Sequence, residues 1–145
     1  MRSTILAALG AATILLASPA AAQQSSVKPG PLWTAARIYV LDGQMENYMD
    51  YITKTWMDNQ AFAKSQGWLL DYWVLQNVDP RDNEPNIILI TRYNDYPSAK
   101  EIERRDAIIN KRMQMDERTQ DSASGQRGSM CKLMGSVLYR ELQKR

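Results

Sequence analysis

The stretch from Trp68 to Tyr96, WLLDYWVLQNVDPRDNEPNIILITRYNDY, limits what this chain can fold into more than any other. Two runs with strand-like alternation flank the loop Asn77 to Pro85, which is rich in Asp, Asn and Pro. Such turn-forming residues between alternating apolar runs specify a β-hairpin. In the first arm, Trp68, Leu70, Tyr72 and Val74 share one side, and Leu69, Asp71, Trp73 and Leu75 share the other. In the second, Asn86 to Tyr93, Ile88, Ile90 and Arg92 oppose Ile87, Leu89, Thr91 and Tyr93.

A matching unit lies on each side of the hairpin. Upstream, Trp33 to Leu41 alternates as a first strand, with Ala36, Ile38 and Val40 on a wholly apolar side and Arg37 and Tyr39 on a mixed one. Asp42-Gly43 ends it, and Asp42 offers a capping oxygen. From Gln44 to Ser65, Met45, Tyr48, Met49, Ile52, Trp56 and Ala63 form one apolar helical stripe, which reads as core packing. Gly67 stops that helix. Downstream, Asn94 and Asp95 offer caps and Pro97 suits a first helical turn. A charged helix then runs from Ser98 to about Thr119 on a narrow stripe of Ile102, Ile109 and Met113. Asp121 to Ser129 reads as a mobile loop, and Leu133 to Leu142 as a fourth strand before the basic tail 143–145.

Residues 1–22 read as a signal peptide: Arg2, the apolar run Ile5 to Ala17, the break at Ser18-Pro19, and the small residues Ala20 to Ala22. The run of about 13 residues is shorter than the roughly 20 a bilayer-spanning helix needs. Cleavage is expected before Gln23, giving a periplasmic or secreted bacterial protein with no membrane attachment. The remaining chain of roughly 120 residues suits one domain with one core. Within it, 23–32 is expected to be a disordered lead-in and 33–142 the folded domain.

Composition excludes whole classes of chemistry. There is no histidine, which removes the Ser-His and Cys-His pairs, histidine-ligated metals and the usual general base near neutral pH. The formal charge is +2 and falls by one when Arg2 leaves, so no concentrated basic face is available for nucleic acid. Cys131 is the single cysteine; it reads as a buried small hydrophobe or as one half of a disulfide between two subunits. No metal or cofactor is expected. Ser129 to Lys132 matches S-x-x-K and Tyr96 to Lys100 matches Tyr-x-x-x-Lys, but neither has the companion motifs its chemistry requires. Asp79, Asp82 and Glu84 lack the ligand order of a calcium loop and read as a solvated turn.

The element order β-α-β-β-α-β is the ferredoxin-like arrangement, a four-stranded antiparallel sheet with two helices on one face. That layout, the strand LLDYWVLQ after a helix-ending glycine, and LITRYNDYPSAKE at a strand-to-helix junction resemble the dimeric α/β-barrel superfamily. The resemblance covers roughly the whole exported chain as a pattern of elements. It implies a homodimer whose sheets pack face to face around a shared cavity. The superfamily includes cofactor-less monooxygenases and lactone isomerases.

Charged strand residues belong on the face the helices leave bare, because burying an unpaired charge costs several kcal/mol. Arg37, Tyr39, Asp71, Trp73 and Arg92 are therefore expected to share that face, with Leu69, Leu75, Ile88 and Ile90 among them. For the fourth strand, either Tyr139 with Glu141 or Arg140 with Leu142 faces the same way. Two arginines against one aspartate favour a small, partly apolar anion bound between two sheets. The competing reading makes Arg37, Asp71 and Arg92 structural ion pairs within a filled dimer interface. A third makes the chain a cofactor-less oxygenase or isomerase, with Asp71 as base, Arg37 or Arg92 stabilising an enolate-like anion and Tyr39 orienting the substrate.

Overall fold

A computed structural model describes residues 24–145; the signal peptide expected over residues 1–22 and the cleavage expected before Gln23 lie outside the described residues. Four strands, β1 (Val27–Val40), β2 (Asp71–Gln76), β3 (Ile87–Tyr93) and β4 (Cys131–Lys144), form one sheet in the order β2-β3-β1-β4. Every neighbouring pair is antiparallel. The first helical unit is continuous: α1 (Met45–Tyr51), a π-helical turn (Ile52–Trp56) and α2 (Met57–Ser65). After the hairpin come α3 (Ala99–Met113) and α4 (Glu117–Arg127). This mixed α+β layout is compatible with a ferredoxin-like fold. No helix among the described residues is long and apolar enough to cross a membrane.

The core follows from the two periodicities. Alternation along β1 and β3 sends Ile38, Val40, Ile87 and Leu89 to one face, and the helical stripe sends Tyr48 and Ile52 down onto them. Register places Ile38 opposite Ile87, and Ala36 opposite Leu89. Ile52 has no exposed surface, and full burial of such a side chain contributes roughly 1.5–3 kcal/mol. Thr91 is the buried polar residue on this face; its hydroxyl is hydrogen-bonded with that of Thr34 and donates to Tyr93 Oη.

Several local expectations need correction. The lead-in is not disordered throughout, because Val27 to Leu32 belongs to β1, with Val27 opposite Lys144 and Pro29 opposite Leu142. Pro29, Gly30 and Pro31 had the look of punctuation. They sit at a register shift beyond Leu32, where β3 no longer flanks the strand, so the missing N–H groups break no ladder on that side. The partner strand is correspondingly longer and takes in Gln143 and Lys144 of the supposed tail.

The charged helix ends at Met113, closed by Gln114 in the left-handed conformation (φ 52°). The loop expected over 121–129 is instead mostly α4, started by Asp116, whose side chain accepts from the Thr119 amide at 2.8 Å. With no apolar period to mark it, α4 was invisible to a pattern search. The caps also moved. Gln44, not Asp42, precedes α1 and makes no side-chain cap, while Ser98, not Asn94 or Asp95, caps α3 by accepting from the Glu101 amide. The first arm of the hairpin starts at Asp71 and not at Trp68, so Leu69 lies ahead of it and is buried, not part of the bare face.

Candidate functional site

Strand parity places Arg37, Asp71, Trp73 and Arg92 on the helix-free face. Opposed residues of an antiparallel pair share a face, and the register opposes Asp71 to Arg92 and Arg92 to Trp33. It also opposes Trp73 to Ile90, Ile90 to Ala35, and Arg37 to Ile88. Tyr39, two residues beyond Arg37 and between the buried Ile38 and Val40, points the same way and is exposed.

Their contacts divide them into separate groups. The first is an interlocked platform. The Trp33 and Trp73 rings stack with centroids 5.1 Å apart and planes 12° from parallel. The Arg92 guanidinium lies 5.1 Å from the Trp33 ring centroid and donates from Nη2 to Glu141 Oε2 at 2.8 Å. Trp33 Nε1 donates to the same oxygen at 3.0 Å, and Gln143 Nε2 donates to Oε1 at 3.0 Å. These donors, the Gln143 amide foremost and then the Trp33 indole and Arg92, hold the Glu141 carboxyl below the usual carboxylate range. Arg92 Nε is buried and lacks a hydrogen-bond partner.

Asp71 stands at the sheet edge, in β2, opposite Arg92, but its hydrogen bonds go elsewhere. Its Oδ1 accepts from Lys64 Nζ at 2.8 Å and from the Tyr72 amide at 3.0 Å. Those two bonds, Lys64 first, lower its pKa. A carboxylate stabilised in its charged form is a weaker proton acceptor, which works against the role of base. Arg37 lies four residues along β1 from Trp33, about 13 Å at strand rise. Among the described residues it makes no ion pair. Arg37, Asp71 and Arg92 thus share a face without touching one another as a triad.

Sequence reasoning misses one member of the platform, Trp33: it reads as the start of a strand, although carrying the period of two back from Arg37 puts it on the bare face. Of the two alternatives for β4, the structure selects Tyr139 with Glu141, since Tyr139 lies opposite Trp33 and Glu141 accepts from Arg92. In the hairpin loop, Glu84 is taken by Arg81, and no cluster among the described residues has the ligands for a metal ion.

The same face carries exposed apolar groups: Tyr39, Leu75, Val137 and Tyr139 are 38%, 45%, 37% and 56% exposed. Comparison with protein-family models, with curated proteins and with solved structures gives no match.

Proposed function

We propose that the protein is an exported homodimeric binding or accessory protein, its two helix-free faces packed on each other with a small, partly apolar anion held between them. The observation that carries this reading is the Trp33–Trp73–Arg92–Glu141 platform, set in a sheet face with exposed Tyr39, Leu75, Val137 and Tyr139. A face combining large apolar groups with fixed charges suits a covering partner, and a second copy is the simplest one. A buried Arg92 Nε without an acceptor supports the same reading, since such groups are ordinarily satisfied.

Glu141 takes up the charge of Arg92, so the cations left for a ligand are Arg37, with Tyr39 beside it on the strand, and Lys132 opposite Tyr39. The anion therefore belongs near Arg37, and the platform serves as the apolar and structural part of the interface. This joins the two readings of the arginines: Arg92 is structural and Arg37 is available for binding. The dimeric α/β-barrel resemblance implies the same sheet-to-sheet association.

The test is native mass spectrometry of freshly purified protein. Dimers carrying a co-purified small acid are expected, and Arg37→Gln should remove the acid while leaving the dimer. A ligand-free monomer at micromolar concentration contradicts the proposal.

A further inference from the structure

The opposite side of the sheet holds a cavity of about 680 Å³ between the long helical unit, the end of α3 and α4. Its walls include Tyr51, Thr55, Met113, Met115, Ser124 and Arg127. A smaller cavity of about 290 Å³ lies deeper, floored by Ile38 and Leu89 of the sheet and flanked by Tyr48 and Cys131. Tyr51, Ser124 and Arg127 line both, so the two meet at those side chains. The larger volume falls within the usual range for small-molecule sites, roughly 300–1,000 Å³.

The charges in this crevice are uneven. Asp121 lines the outer cavity and is exposed. The inner cavity contains Arg127 and no carboxylate. Arg81, Arg92, Arg104, Arg105, Arg112 and Arg140 each face a carboxylate, whereas none lies within ion-pair distance of Arg127 among the described residues. The Arg127 guanidinium sits over the Tyr51 ring, 5.2 Å from its centroid. That contact occupies the flat face of the guanidinium and leaves its N–H edge open. Burial pushes the Tyr48 and Tyr51 phenols and the Cys131 thiol up, so all three stay protonated and neutral near pH 7. Methionine walls adapt to varied apolar shapes. The π-helical turn that starts directly after Tyr51 contains Thr55, and such turns recur at functional sites.

We infer that this crevice is a second binding site, for a small monocarboxylate with an apolar body, its charged end on Arg127 and Ser124 and its body along Met113 and Met115. A cationic ligand would meet Arg127, and a neutral one would leave that guanidinium half-buried without a counter-charge. A polyphosphate would find one arginine where it needs several. The site lies within one chain, so it stands independently of the proposed sheet-to-sheet dimer.

The test uses the full chain with 2-naphthoate as probe and 2-naphthalenemethanol as its neutral counterpart, by titration calorimetry. One naphthoate per chain is expected, weakened about tenfold or more by Arg127→Gln, with Arg127→Lys retaining part of the affinity and the alcohol indifferent to both changes. Should Arg127→Gln fail to fold, Ser124→Leu at the exposed junction is expected to block naphthoate by filling the space. Absence of naphthoate binding, or affinity unchanged in both Arg127→Gln and Ser124→Leu, overturns the inference. Loss of binding in Arg37→Gln alone overturns it too and assigns the acid to the sheet face.

Discussion

Replacing Ile90 by lysine separates association from folding. Ile90 lies in the middle of the helix-free face, opposed by Trp73 on one side and Ala35 on the other, and is only half-buried in the single chain. A lysine there can keep its ammonium in water while its stem lies along the neighbouring rings, so the stability of one chain should change by no more than about 1 kcal/mol. In the proposed dimer the same position is covered. Each protomer loses roughly 1.5–3 kcal/mol of apolar burial and gains a cation whose desolvation costs several kcal/mol. Two-fold symmetry applies the change twice, so the loss exceeds about 5 kcal/mol, or a thousandfold or more in dissociation constant. Sedimentation velocity at micromolar concentration, paired with urea unfolding, reads both quantities. A variant that folds normally and sediments as a monomer beside a dimeric parent is expected. A variant that stays dimeric refutes the use of this face.

Other consequences follow from the core and the ion pairs. Ile52→Ala removes a fully buried side chain from the helix–sheet junction and should cost about 2–5 kcal/mol in chemical unfolding; a loss below about 1 kcal/mol would mean the helix does not pack there. Glu141→Gln leaves Arg92 without its carboxylate, and the near-ultraviolet circular dichroism of the stacked Trp33–Trp73 pair should weaken; an unchanged spectrum contradicts the interlock. Hydrogen bonds from Arg104 and then Arg105 hold the Glu101 carboxyl at about 2, below its ordinary 4.5. Its contribution to stability is therefore complete above about pH 4.5 and is lost as pH falls towards 2. Acid unfolding of the parent should converge on that of Glu101→Gln across that window, and parallel curves contradict the pairing.

How far the sequence could be read depended on where periodicity was available. The hairpin, the β1 core side and the Tyr48–Ile52 stripe were legible because each carries a clean period of two or near 3.6. The long pairing of Val27 to Leu32 with the end of β4 was not. Prolines signal a break locally, and only the sheet order reveals that β3 has already ended beside them. Helix α4 was hidden for a different reason: its sequence, ERTQDSASGQR, has no apolar stripe, and its start depends on one aspartate cap. The cavity it closes was hidden with it, including Arg127. On the bare face, parity predicted the placement of Arg37, Asp71, Trp73 and Arg92. Alternation cannot tell which partner a charge selects, so Lys64 taking Asp71 and Glu141 taking Arg92 became visible only in three dimensions.

Sedimentation equilibrium of the unmodified protein, freed of residues 1–22 and studied at micromolar concentration, weighs the sheet-to-sheet pairing most directly. Twice the single-chain mass, reverting to one chain in Ile90→Lys, is the expected result. A single-chain mass at every concentration up to the solubility limit would contradict it.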